Sequence, residues 1–341
     1  MRDTETESKP IPRKVLVTGG AGYIGSTICS ALEDSGHSPV VLDSLVNGRE
    51  AFVRSHPFYR GDISDPGVLS RVFEEHPDIS FAVHCAALAV VPDSVSRPYD
   101  YYKNNVTGSS ELFRILAEFG CDNIVFSSSA AVYDNVPGFM VTEDSPTRPQ
   151  SPYARSKLMT EMMLEDMAAG YGLKAISLRY FNPIGADPRM RSGQVQREAT
   201  QIVNVLVSVA NGDRPIFQVT GTDWPTRDGT GIRDYIHVWD LAQAHVKAVE
   251  RIDDVFPDGP GFVIINLGTG SGVTVREIVS AFENVYGSPI PQEDAPPRPG
   301  DVAGAYANAD KAAELLGWQT TMTLEEGIRD ALAWAESLSF S

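Results

Sequence analysis

In KVLVTGGAGYIGS, Lys14–Ser26, an apolar run breaks into four glycines within seven residues. KVLVT has the β-branched, apolar character of a buried strand, and the segment from about Tyr23 to Ser35 has that of a helix. A glycine-rich turn between a strand and a helix lets the backbone approach a pyrophosphate closely. The N–H groups of the helix N-terminus then face its negative charge. Gly19, Gly22 and Gly25 give the wider GxxGxxG spacing as well as the GxGxxG one. With Tyr23 and Ile24 they form a candidate dinucleotide loop.

Working outward, SPVVLD is a second strand, ISFAVHCA, DNIVFSSS and LKAISLRY are further ones, and helix-like segments near Val68–Glu75, Asp100–Phe119 and Ser151–Ala169 separate them. Continuous rather than alternating apolar runs suit strands covered on both faces, hence parallel pairing with helical crossovers. The expected fold class is α/β, a doubly wound parallel sheet of Rossmann type. After Phe181 the pattern loosens. FNPIGADPRMRSG reads as a loop, a helix follows from about Val195 to Asn211, and EDAPPRPGDV reads as irregular. FVIINL is a strand, with helices beginning at Asp240, where Asp240 suits an N-cap, and at Thr274. The expected organisation is a flexible tail over 1–12, a dinucleotide-binding domain over 13–180, and a smaller lobe over 181–341 from which the chain crosses back.

The 341 residues carry 45 acidic and 28 basic side chains, a net charge of −17. A chain this long buries about 75% of its unfolded surface, so a packed core is expected. Its acidity excludes bulk binding to nucleic acid or to an anionic membrane, and no run approaches the ~18 apolar residues of a membrane span. Cys29, Cys85 and Cys121 are odd in number and lack ligand spacing, which points to a reducing, cytoplasmic setting and to no metal.

Asp43 ends the second strand eighteen residues beyond Gly25. A carboxylate there accepts the ribose hydroxyls and repels a 2′-phosphate, so the cofactor expected is NAD. Gly61-Asp62-Ile63 supplies a polar and an apolar contact for adenine. Tyr153 and Lys157 form YxxxK, on one face of a helix. A phenol with pKa near 10 needs roughly 4 kcal/mol of stabilisation to ionise near neutrality, and an adjacent ammonium supplies part of it. Ser127, Ser128 and Ser129 end a strand at the edge where such sheets bind ligands, and Ser129 is placed to share a proton with Tyr153.

TGGAGYIGS, FSSSAAVY, SPYARSK, LRYFNP, DGTGIRDYIHVWDLA and NLGTGSG together resemble the extended short-chain dehydrogenase/reductase family, and within it the UDP-galactose (UDP-glucose) 4-epimerase group, over roughly residues 14–335. The resemblance implies a UDP-sugar substrate, a tightly held NAD, oxidation at sugar C4 with Tyr153 taking the hydroxyl proton, and return of hydrogen to the other face. It assigns Ser129 to proton transfer and Lys157 to the nicotinamide ribose. Ala86, Ala87, Asn104 or Asn105, Ser127 and Phe181 line the cofactor. Asn182, Arg233 and Arg298 hold the diphosphate, with Asp301 toward the uridine. It also implies a homodimer through the Asp100–Phe119 and Ser151–Ala169 helices.

Departures bear on the substrate. Ala89 stands where lysine is usual, and Arg197–Ile202 replaces the nucleotide-contacting segment, leaving Gln201 as its candidate. The Asp134–Gln150 loop is one residue short, and Ala305 stands where the family often has either a bulky tyrosine or a small residue walling the hexose pocket. Arg189 and Arg191 follow FNP closely enough to suggest a partner for a C6 carboxylate, which makes UDP-glucuronate/galacturonate an alternative to UDP-glucose/galactose. UDP-N-acetylhexosamine is another. A dehydratase would want an acid–base pair where Ala130 and Ala131 stand. A catalytically silent NAD-binding protein would be expected to lack Tyr153 or Lys157. Asn105-Val106-Thr107 fits a glycosylation sequon by chance, His237 reads as a structural histidine, and Gly268–Gly272 as a strand-to-helix turn.

Overall fold

The structure, a computed structural model, describes residues 11–195, 200–297 and 302–339. From its start the chain alternates β1 (Lys14–Thr18), α1 (Tyr23–Asp34), β2 (Ser38–Asp43), β3 (Phe58–Arg60), α2 (Pro66–Glu75) and β4 (Phe81–His84). Next come short α3 (Val91–Ser96) and α4 (Pro98–Tyr101), a π-helical turn over Tyr102–Thr107, α5 (Gly108–Glu118), β5 (Asn123–Ser129), β6 (Met140–Val141), α6 (Pro152–Tyr171) and β7 (Lys174–Tyr180). The remainder comprises β8 (Asn182–Ile184), α7 (Ile202–Ala210), β9 (Phe217–Thr220), β10 (Ile232–Arg233), β11 (Tyr235–His237), α8 (Val238–Val255) and β12 (Gly261–Leu267). It ends with β13 (Val273–Thr274), α9 (Val275–Tyr286), β14 (Gln292–Ala295), β15 (Gly304–Ala307), α10 (Asp310–Leu316) and α11 (Leu324–Ser339).

Seven strands form one parallel sheet in the order β12-β7-β5-β4-β1-β2-β3. Alternate residues of each strand feed two separate cores. Val15 and Val17 of β1 pack with α1 and α8, whereas Leu16 packs with α2, α5 and α6, and all three are fully buried. Strand order reverses direction between β1 and β4, so a crevice opens above their carboxyl ends, where ligands bind sheets of this type. The glycine loop after β1 and the Cys85–Leu88 segment after β4 flank that crevice. They approach so closely that a Cβ on Gly19 would stand 2.7 Å from Ala86 N.

Beyond the expected boundary at residue 181 the chain returns to the first core twice, with α8–β12 and with α10. Residues of α8, β12 and α10 complete the first core (Leu241, Val249, Ile265 and Leu316 are all fully buried), and β12 adds an outer strand beside β7. What remains is a smaller lobe of short sheets, β13-β10-β15-β6, β11-β8 and β14-β9, with a core of its own from α7, α9 and α11. Within it Gln292–Ala295 form a parallel strand against β9, although EDAPPRPGDV reads as irregular; the first proline that interrupts pairing is Pro296. The helix expected from Val195 is described only over Ile202–Ala210, residues 196–199 lying outside the described residues. The helix expected from Asp100 begins at Pro98 and passes through the π-helical turn before α5. Among the described residues no helix is long and apolar enough to cross a membrane.

Asp240 is not the N-cap of α8. His237 is, its ring accepting Trp239 N–H at 3.0 Å. The Asp240 carboxylate, 1% exposed, instead accepts from Thr321 N at 3.0 Å, Thr321 Oγ1 at 2.8 Å and Met322 N at 2.9 Å. It thereby docks the segment leading to α11 on the main sheet's helical layer. Asp240→Ala removes the acceptor of three donors, of which the exposed Thr321 can turn to water, and is expected to cost about 1–3 kcal/mol. A denaturant unfolding curve checks this as a lower midpoint with unchanged slope.

Candidate active site

The dinucleotide groove is built by what the glycines leave out. A Cβ on Gly25 would lie 2.2 Å from Gly19 O, so only glycine lets α1 start this close to β1. Gly22 stands at the N-cap of α1 and offers no side-chain acceptor, which leaves the first-turn N–H groups for an anionic ligand. Gly19, Gly22, Asp43, Asp62, Ile63, Ala86, Ala87 and Asn104 line one continuous groove. These are residues the sequence assigned to a dinucleotide, gathered from five separate segments. Tyr23, Ile24 and Gly25 stand behind it. Tyr23 donates to Gly185 O at 2.7 Å and so ties the start of α1 to the first loop beyond β8. The Asp43 carboxylate accepts Ala21 N at 3.0 Å and Leu45 N at 2.7 Å, which orients it at the groove. These features fit NAD.

The sequence left Asn104 and Asn105 as alternatives, and the π-helical turn separates their tasks. Asn104 lines the groove. Asn105, 3% exposed, accepts Leu88 N at 2.9 Å and donates to Leu88 O and Ser156 Oγ, both at 3.0 Å. It braces the segment after β4 against α6. The groove also includes Ser44, Val46, Asn47 and Gly48, which sequence inspection missed; Asn47-Gly48 directly after an acidic strand end was the available signal.

Ser151 caps α6, its hydroxyl accepting Ala154 N–H, and Pro152 fits the first turn. That start brings Tyr153 and Lys157, 9% and 4% exposed, under the carboxyl end of β5. The Lys157 ammonium donates to Ser127 O at 2.7 Å and lies 4.8 Å from the Phe126 ring centroid. Burial lowers its pKa to about 8. Burial raises the Tyr153 phenol above its ordinary value, while a hydrogen bond with the Ser129 hydroxyl pulls it back. The phenol and the Ser129 hydroxyl are thus hydrogen-bonded, with the Lys157 ammonium 6.0 Å from the Tyr153 ring centroid, and the phenol needs nearby positive charge to ionise. Ser127 contributes through its carbonyl; its hydroxyl points away, to His245 Nε2 at 2.9 Å and Cys85 Sγ at 3.1 Å.

Phe181 packs near Val132, Leu158 and Ala305 beside this set. Asn182 is exposed at the head of β8, and Gln201 stands half-buried at the N-cap position of α7. The Arg233 guanidinium donates to Ile232 O, Ala303 O and Val302 O at 2.7, 2.9 and 3.1 Å, and pairs with no carboxylate among the described residues. Arg298 and Asp301 lie outside the described residues.

Arg189 and Arg191 are a correction. Arg189 donates to Asp34 at 3.0 Å, and Arg191 to Asp34 at 2.9 and 3.0 Å and to Asp187 at 2.7 Å. Asp34 is the last residue of α1, roughly 16 Å along the helix axis from the glycine loop at 1.5 Å per residue. Both arginines are thus engaged by carboxylates at the far end of that helix and are not the partners of a substrate carboxylate. The Gly268–Gly272 turn is likewise closed from within, because the buried Asp234 carboxylate accepts Thr269 N at 2.9 Å and Ala307 N at 3.1 Å. A buried ion pair, Glu161–Arg179, was also missed. Glu161 at Lys157+4, and an arginine inside the apolar run LKAISLRY, were its signals.

The family model described as the NAD dependent epimerase/dehydratase family matches residues 15–268. A UDP-glucose 4-epimerase from Azospirillum brasilense is 44% identical over 338 residues, covering 98% of this chain and 96% of that one. The solved UDP-glucose-4-epimerase from Stenotrophomonas maltophila, with bound NAD and formylated UDP-arabinopyranose, aligns with TM-score 0.91 at 39% identity and covers 96% of this chain and 99% of that one. The enzyme from Bifidobacterium longum, in complex with NAD+ and UDP, aligns with TM-score 0.88 at 36% identity, covering 95% and 98%. With a glycine loop and an acidic strand end lining one groove, a Tyr–Lys–Ser set at the carboxyl end of β5, and relatives matched along almost the whole chain, the protein belongs to the NAD-dependent epimerase/dehydratase family.

Proposed function

We propose that the protein is an NAD-dependent UDP-sugar 4-epimerase that interconverts UDP-glucose and UDP-galactose. The observation that carries this reading is the buried Tyr153–Lys157 pair at the carboxyl end of β5, with the Ser129 hydroxyl bonded to the phenol. Bound NAD supplies a reversible acceptor for the hydrogen at sugar C4. Tyr153 takes the C4 hydroxyl proton and returns it, Ser129 shares that proton, and Lys157 holds the positive charge that makes the phenol acidic enough. Because Lys157 titrates at about 8, its ammonium is lost above that pH and turnover falls on the alkaline side. Asn182 and Arg233 hold the diphosphate; Arg233, bonded only to carbonyls, keeps its charge for an anion. Asp43 selects NAD over NADP, since a 2′-phosphate would meet a carboxylate.

Ala305 supports a second sugar. Its small side chain, half-buried in the cluster with Phe181 and Leu158, leaves room that a bulky residue would fill, so UDP-N-acetylhexosamine is also accepted. The uronate alternative loses its support with Arg189 and Arg191.

We also infer a homodimer in the cytoplasm. Met159 and Met162 on α6 are 45% and 59% exposed, and Val95 on α3 and Tyr99 on α4 are 66% and 73% exposed, an apolar surface that a second copy would cover. The three free cysteines agree with a reducing compartment.

Purified protein incubated with UDP-glucose or UDP-N-acetylglucosamine is expected to yield the C4 epimer by chromatography, and absence of any interconversion with NAD bound overturns the epimerase reading. Tyr153→Phe is expected to lower kcat by about 10²–10⁴-fold with NAD retained. Asp43→Ala is expected to narrow the preference for NAD over NADP by about tenfold or more, read by titration of the apoprotein with each. Met162→Glu is expected to shift sedimentation from dimer to monomer.

A further inference from the structure

Beneath the serine run of β5 lies the sealed ion pair, with Glu161 2% and Arg179 3% exposed. The Glu161 carboxylate receives four donors: Arg179 Nε at 2.9 Å, Arg179 Nη2 at 2.6 Å, Ser177 Oγ at 3.1 Å and Ser128 Oγ at 2.5 Å. Burying two charges seldom adds stability over well-packed apolar residues, so stability alone does not account for the pair. What apolar residues would not do is hold Ser128. That serine sits between Ser127, whose carbonyl receives Lys157, and Ser129, whose hydroxyl meets Tyr153. Fixing its side chain fixes the two peptide units on either side. The rigid α6 is therefore pinned to β5 twice, one helical turn apart, by Lys157 on Ser127 and by Glu161 on Ser128.

The charge of the pair matters as well. Around Lys157 stand Tyr153 and Glu161 on its own helix, His84 and Cys85 at the end of β4, Ser127 on β5, Arg179 and Tyr180 on β7, and His245 on α8. Burial keeps His84 and His245 neutral, at about 3 and about 4, and the Cys85 thiol and Tyr180 phenol protonated. Glu161 is thus the anion facing the ammonium. Arg179 saturates it, so Lys157 stays on the Ser127 carbonyl rather than collapsing onto its neighbour four residues on.

We propose that Glu161 is a positioning residue for the reaction, setting the Ser127 carbonyl and Ser129 hydroxyl against Lys157 and Tyr153 through Ser128 while Arg179 holds its charge in place. This rests on the epimerase reading, and the parent enzyme separates the two: a parent that turns over no UDP-sugar overturns that reading, and a parent that does leaves the variants to judge this inference. In the NAD-loaded protein, Ser128→Ala removes one hydrogen bond and no charge. It is expected to lower kcat about 3–10-fold with KM within about twofold. Glu161→Gln is expected to lower kcat about 100-fold. It leaves Arg179 unopposed, which disfavours the ammonium, so Lys157 observed by selectively labelled NMR titrates lower by about half a pH unit or more, and the alkaline limb of kcat moves with it. A parent-like kcat in Ser128→Ala overturns the proposal, as does a folded Glu161→Gln protein with unshifted Lys157. If Glu161→Gln does not fold, the Ser128→Ala result decides.

Discussion

A lysine ammonium, buried against one backbone carbonyl and two aromatic rings, is the interaction on which this molecule depends. Lys157 has left water and has no carboxylate of its own to pair with, an arrangement that costs free energy in isolation. It persists because β5 and α6 are held by everything else around them: two cores on either face of the sheet, a capped helix start at Ser151, and a polar seam from Ser128 to Arg179. The uncompensated charge is what makes the site useful. In the reaction proposed above, an ammonium held without an ion-pair partner acts on the phenol beside it, whereas the same charge on a surface helix would be spent on solvent.

The second constraint is steric. The crevice exists because β1 and β4 lead their chains in opposite directions, and it is narrow enough for backbone to grip a diphosphate because Gly19, Gly22 and Gly25 have no side chains. The smaller lobe is registered to that crevice by specific ties rather than by a hinge. Tyr23 reaches Gly185, Asp240 holds the segment before α11, and Asp234 clasps the turn after β12 to β15. Phe181, Asn182, Arg233 and Ala305 are carried on segments locked by those ties, so the lobe presents its residues to the same edge of the sheet as Tyr153.

Features governed by local rules were legible in the sequence. The strands, the glycine loop, the acid at the end of β2 and the i, i+4 placement of Tyr153 and Lys157 follow from periodicity and spacing, and the structure gathers those groove residues as expected. Features governed by distant partners were not. Asp240 looked like a cap because it stands at a helix start, but its acceptors are used by Thr321 and Met322, eighty residues away. Arg189 and Arg191 looked free because Asp34 belongs to another element. Asn104 and Asn105 could not be told apart without the π-helical turn, which rotates one to the groove and the other to the core.

The same contrast explains how a chain of net charge −17 suits a dianionic ligand. Net charge governs the field at a distance, whereas binding responds to the groups within a few ångströms, where solvent screening is weak. Several arginines are neutralised locally: Arg179 by Glu161, Arg191 by Asp34 and Asp187, Arg227 by Glu277, Arg276 by Asp294. Arg233 is bonded to three carbonyls, which orient the guanidinium without cancelling its charge. An acidic surface repels polyanions in bulk, while an arginine oriented by carbonyls, as Arg233 is, keeps its charge for the small diphosphate proposed above.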